Sequence, residues 1–153
     1  MSWTGTIIVV AMMAFVGLFA AIRLAPSNPD VWHIDPSDPA LSEGPGQTLV
    51  RSDGTVKSPV FEKTPDDLLA AFDDIADATP RTQVVAGSVA EGRVTYLTRS
   101  LIWGFPDYTT VAAIPVDGGA EIVAYGRLRF GKSDMGVNAE RLQGWLDALA
   151  AGS

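Results

Sequence analysis

The 153-residue chain carries a net charge of −7, is 47% hydrophobic and has no cysteine. The missing thiols exclude disulfides, thiolate metal sites, a cysteine nucleophile and a lipobox-type anchor. A nucleic-acid partner calls for a basic excess, yet residues 24–78 hold three basic and eleven acidic side chains, and residues 79–153 hold seven of each.

The first element is residues 2–22, "SWTGTIIVVAMMAFVGLFAAI", without a charged side chain. As a helix it would extend about 31 Å, enough to cross a hydrocarbon core. Arg23 ends the run, Pro26 blocks its continuation, and Trp3 suits a membrane interface. A cleaved signal would want a basic leader, a shorter apolar run and a small-residue cleavage triplet. None is evident, so residues 1–23 are expected to be a retained transmembrane anchor with the lipid bilayer as its partner. Arg23 alone weakly favours a cytoplasmic C-terminus, and charge leaves orientation nearly tied.

Residues 24–63 read as an irregular arm. Seven of the ten prolines lie between Pro26 and Pro65, and such a segment is extended. Within it "VWHIDP" (31–36) is apolar enough to tack the arm onto a domain. A small domain is expected over residues 64–150. Thr64 caps a helix with Pro65 in its first turn, and Leu68, Leu69, Phe72, Ile75 and Ala76 form its buried stripe. Asp66, Asp67, Asp73 and Asp74 are expected on its solvent side. Four strands follow in "TQVVAGSV", "RVTYLTRSLIW", "YTTVAAIPV" and "EIVAYGRLRF", with hairpin turns at Ala90-Glu91-Gly92 and Asp117-Gly118-Gly119. Asn138 is expected to cap a last helix, whose stripe is Leu142, Trp145, Leu146 and Leu149. The fold class is therefore α+β: an N-terminal transmembrane helix, then helix, four-stranded antiparallel meander, helix.

Gly126, four residues, then Gly131-Lys132-Ser133 spell the phosphate-loop pattern. A true phosphate loop turns after a strand and feeds directly into a helix. Here "RLRF" continues the alternation of the preceding strand to Phe130, and the helix starts several residues late. Nucleotide binding is not expected.

"RVTYLTRSLIWGFPDYTTV" and "YGRLRFGKSDMGVNAERLQGWLDAL" resemble an uncharacterised family, catalogued as domain of unknown function fourteen ninety-nine. The residues that carry the resemblance are Thr98-Arg99-Ser100, Gly104-Phe105-Pro106-Asp107, Arg127-x-Arg129-Phe130-Gly131, Asp134-x-Gly136-Val137-Asn138 and Arg141. "WHIDP" after a span is similar to the alphaproteobacterial branch. The resemblance supplies no activity. It implies an envelope- or membrane-associated domain, and so a single-pass protein of the bacterial inner membrane with its domain in the periplasm.

Arg99, Arg127, Arg129 and Lys132 are the candidate ligand-binding residues. Arg127 and Arg129 share a strand face about 6.5–7 Å apart, with Arg99 roughly 10 Å away if registers align. Guanidiniums so placed could grip a carboxylate or phosphate. The alternatives are a solvated polar sheet face, or pairing of these arginines with Asp107 and Asp134. Trp32, His33, Asp107, Asp134, Asn138 and Arg141 are expected to be structural. Asp134 would hold the glycine-rich loop. His33 is the only histidine, so a histidine-based hydrolase must use it, and a histidine-rich metal site is excluded. No carboxylate pair stands out. No catalytic residue, metal or cofactor is expected. The leading expectation is a non-catalytic accessory or scaffold protein docked in a membrane-protein complex. Second is a binding module for an anionic small molecule or lipid headgroup, and third a hydrolase around His33.

Overall fold

The computed structural model describes residues 2–152. α1 (Trp3–Leu24) is a 22-residue helix, long and apolar enough to cross a membrane and with none of its residues buried. Its apolar side chains all round, rather than on one stripe, suit a lipid environment. The chain then enters a one-turn helix, α2 (Pro29–Trp32), capped by the Asn28 side chain, which accepts from the Asp30 N–H.

Five antiparallel strands follow: β1 (Gln47–Val50), β2 (Thr82–Ser88), β3 (Arg93–Arg99), β4 (Pro106–Val116) and β5 (Gly119–Leu128), arranged β1-β5-β4-β3-β2. Two further helices, α3 (Pro65–Asp77) and α4 (Val137–Ala151), complete the domain. Side chains alternate across a strand, and the registers sort them into two faces. Val94, Tyr96, Val111, Ile122 and Ala124 join Leu68, Leu69, Phe72, Leu142, Trp145 and Leu146 in the main core. Each large apolar side chain buried there contributes roughly 1.5–3 kcal/mol. The Trp145 indole N–H donates to Thr79 Oγ1 at 2.8 Å, and its ring meets Phe72 edge-on at 5.5 Å. The Tyr96 hydroxyl donates to Asp73 Oδ1 at 2.6 Å. Burial, and then Asp73, push the pKa of that phenol far above its ordinary value.

The α+β class and the order of elements match the sequence reading, but the sheet has five strands rather than four. The additional strand, β1, lies inside the arm. It is only four residues long, too short to show a period, and it exists because the β5 edge offers hydrogen bonds from Ala124 to Arg127. The arm also supplies Val50, Val56 and Phe61 to the core, so it is not irregular throughout. β5 ends at Leu128 rather than Phe130. Its last partner on β4 is Asp107, and the preceding residue, Pro106, has no N–H to extend the ladder. Asn138 is not the cap of α4 either. Gly136, at φ 86°, occupies that position without a side-chain bond, and the Asp134 carboxylate accepts from the N–H groups of Gly136 and Asn138 at 3.2 and 2.8 Å. Asn138 is turned inward and fully buried.

Candidate functional site

The sheet face opposite α3 and α4 carries Arg93, Thr95 and Arg99 on β3, Tyr108 and Thr110 on β4, and Tyr125 and Arg127 on β5, with Arg129 just beyond. Antiparallel sheets commonly leave such a face in water. Here the arm lies across it, and Thr95, Tyr108 and Thr110 are fully buried. The Trp32 ring stacks on Tyr108 with centroids 3.8 Å apart and planes 11° from parallel. Arg127 donates to the carbonyls of Val31 and Trp32 at 3.2 and 2.5 Å. Arg129 donates from Nη1 to the Pro26 carbonyl and to the Tyr108 hydroxyl, both at 2.9 Å. That hydroxyl also bonds Ser27 Oγ at 2.8 Å. The arm is thus fastened from the third residue after Arg23 onward.

A directed hydrogen-bond chain runs beside this clamp. Arg93 can only donate, and its Nε approaches His33 Nε2 at 3.1 Å, so Nε2 is the accepting nitrogen. The proton of the neutral ring then sits on Nδ1, 2.8 Å from Thr95 Oγ1. Thr95 faces Thr110 at 2.9 Å, and Thr110 donates to the Trp32 carbonyl at 2.8 Å. Every polar atom in the chain is satisfied only in this polarity. Burial, then the Arg93 charge, lower the His33 pKa, with Glu91 opposing. Gly87, at φ 73°, makes room: a Cβ there would stand 2.1 Å from the Arg93 carbonyl oxygen and 2.6 Å from His33 Cε1.

A second polar cluster lies on the helix side of the sheet. Arg141 on α4 approaches Asp107 at 3.6 Å and donates to Asn138 Oδ1. Asp107 and Asn138 are buried. Desolvation raises the Asp107 pKa, with Arg141 pulling it down and Asp134 adding to the rise. Desolvation likewise lowers that of Arg141 against the pull of Asp107. Burial outweighs attraction for both partners, as it does when an ion pair is held loosely in low dielectric. Asp134 behaves differently. Partial burial opposes its charge, but the N–H groups of Asn138 and Gly136 outweigh that and hold its carboxyl below the usual value.

Residues 26–149 match the model of a family described as protein of unknown function (DUF1499). The chain belongs to that family. No curated protein and no solved structure matches it. The matched range starts at Pro26, whose carbonyl Arg129 holds, so the arm lies inside the DUF1499 region.

In this DUF1499 domain the four candidate ligand-binding side chains do not converge on an open pocket. Arg127 donates from both Nη1 and Nη2 to arm carbonyls and leaves Nε buried without a hydrogen-bond partner among the described residues. Arg129 Nη1 donates to the Pro26 carbonyl and the Tyr108 hydroxyl, and Arg99 donates from Nη1 to the Gly104 carbonyl at 3.0 Å. Lys132 is exposed in the loop before α4. An anion gripping the arginine pair would have to displace the carbonyls of Pro26, Val31 and Trp32. Neither Asp107 nor Asp134 pairs with these arginines through a salt bridge; Asp107 has Arg141 instead. Trp32 and His33 sit in the arm clamp, with both ring nitrogens of His33 engaged, which leaves no free base for a nucleophile. Among the described residues no group of three or more histidines or carboxylates is placed to hold a metal. Gly126, the first glycine of the phosphate-loop pattern, lies within β5 under α4. A Cβ there would come within 3.2 Å of Leu142 and 3.4 Å of Asn138.

Sequence reasoning missed Arg93, Thr95, Thr110, Tyr108 and Gly87. A signal was present in the strands. Arg93 and Thr95 alternate with the apolar Val94 and Tyr96, and on β4 the same face carries Thr110 opposite Thr95 and Tyr108 two residues before it. A row of hydrogen-bonding residues facing one way points to a covering segment with carbonyls to satisfy.

Proposed function

We propose that this protein is a non-catalytic accessory or scaffold protein, anchored by α1 in the bacterial inner membrane. Its α+β domain is held close against the periplasmic surface, where it docks on a membrane-protein partner. The observation that carries this reading is the Arg129–Pro26 bond: the domain grips its arm three residues beyond Arg23. A long free linker lets a domain search for soluble ligands. A short, fastened one presents a fixed face at a fixed height, which suits a partner in the same bilayer. Contacts of α1 with the domain support its retention as a span. Phe15 meets Trp103 edge-on at 6.1 Å, and Arg23 lies against Gly104. A leader destined for removal has no need to pack on the mature domain.

The test is purification of the full chain in mild detergent with mass spectrometry of whatever accompanies it. A stoichiometric membrane protein is expected, and recovery of the chain alone would count against docking. A reporter fused to the C-terminus should be active only in the periplasm. Thermal stabilisation by phosphate that disappears in both Arg127→Ala and Arg129→Ala would favour the anion-binding function instead.

A further inference from the structure

The geometry points to the β3–β4 turn as a second membrane-contacting element, its tip reaching below the headgroups into the acyl region of the leaflet that receives the end of α1. This rests on α1 being a span that stays in the bilayer. Leu101, Ile102 and Trp103 form the tip and are 71%, 72% and 47% exposed. Among the described residues outside α1, this is the one run of three consecutive exposed large apolar side chains. An exposed apolar cluster of this kind marks an interaction surface.

The occupant follows from what stands beside it. α1 is about 33 Å long and a hydrocarbon core about 30 Å thick, so Arg23 belongs at headgroup level. Phe19 and Phe15 then lie roughly 6 and 12 Å deeper along the axis. Trp103 and Phe105 face Phe15, Leu18, Phe19 and Ile22 across a shallow groove. The turn therefore lies beside residues 15–22 of the span, from just below the headgroups to roughly 12 Å into the acyl region.

Two further features hold the turn in place. Gly104 adopts φ 69°, and a Cβ there would come within 2.6 Å of Arg23 Nε, so the arginine at the end of α1 lies directly across the turn. The turn backbone is also braced internally. The Ser100 N–H donates to the Phe105 carbonyl at 3.0 Å, the Gly104 N–H to the Ser100 carbonyl at 3.1 Å, and the Phe105 N–H to Ser100 Oγ at 2.9 Å. Backbone groups closed on one another enter an apolar boundary at lower cost. Arg23, Arg81 and Arg99 border the turn, and Arg81 Nε donates to the Arg99 carbonyl. In a chain of net charge −7, these arginines turn this end toward anionic headgroups.

The absence of native cysteine gives a direct test. Ile102→Cys, Val16→Cys and Asp66→Cys, each in the full chain, are spin-labelled and reconstituted in phosphatidylethanolamine–phosphatidylglycerol vesicles. Collision with oxygen, which concentrates in lipid, is compared with collision with a water-soluble nickel chelate. The expected result is that position 102 follows position 16 in favouring oxygen, while position 66 favours the chelate. If position 16 favours oxygen and position 102 the chelate, the second contact is overturned and the span stands. If both favour the chelate, the span itself fails and the turn contact with it. If position 66 also favours oxygen, contact is not confined to the turn, and the proposal falls.

Discussion

The Arg127 guanidinium donates to the carbonyl of Trp32 at 2.5 Å while lying 4.9 Å from the centroid of that residue's own ring. One side chain thus holds both the backbone and the indole of the arm, and Tyr108 stacks on the same ring. Arginine suits this position because its planar fork can bond and stack at once.

Replacing Arg127 with methionine should therefore lower stability by about 1.5–3 kcal/mol, the usual range for hydrogen bonds to a charged group. Arg127→Lys should recover only part of that, since one ammonium cannot reproduce the fork. Urea denaturation gives the magnitude. Limited proteolysis should show residues 26–33 becoming accessible before the rest of the domain.

His33 makes arm docking sensitive to pH. Its folded pKa is lowered from 6.5, by burial first and Arg93 second. As pH falls below about 6.5, the unfolded chain takes up a proton that the folded chain refuses. Stability should decline from there to the lowered folded value and then level off. In His33→Gln this slope should be absent. The separate loss from carboxylates held below their usual values, such as Asp134, should persist at lower pH.

Asp107 and Arg141 should behave as a pair whose halves matter more than their sum. Asp107→Ala leaves Arg141 buried without its counter-charge, and should cost about 3 kcal/mol. Asp107→Leu combined with Arg141→Met removes both desolvation costs, and should be less damaging than the single change. A double-mutant cycle built from Asp107→Leu, Arg141→Met and their combination, read by chemical denaturation, measures the coupling.

The phosphate-loop pattern should dissociate into unrelated roles. Gly126→Ala crowds Leu142 and Asn138 and should cost about 1–2 kcal/mol through overpacking. Lys132→Ala, at an exposed position, should stay within about 0.5 kcal/mol of the parent. Magnesium-ATP should leave the melting temperature of both unchanged, as read by calorimetry.

Much of the architecture was legible because its causes are local. Thr64 and Pro65 start α3, and Asp117-Gly118-Gly119 turns β4 into β5. The stripe from Leu142 to Leu149 commits one face of α4 to the core. The cap of α4 was misassigned because Asp134 and Asn138 both offer capping chemistry. Which one bonds the helix depends on Gly136 turning left-handed, and that places Asn138 inward. β1 was missed because four residues in a proline-rich arm acquire strand geometry only from the β5 edge.

By itself, the sequence determined an uncharged segment of membrane-spanning length, two amphipathic helices and alternating strands, since the first rests on local composition and the others on periodicity along the chain. Only the tertiary structure decided what the arginines do. Their spacing at the end of β5 fits an anion and an arm equally well, because carbonyl oxygens and anions draw on the same donors. The choice fell to the arm once folding laid Pro26, Val31 and Trp32 against Arg127 and Arg129. That meeting joins residues about a hundred positions apart, and no local pattern encodes it.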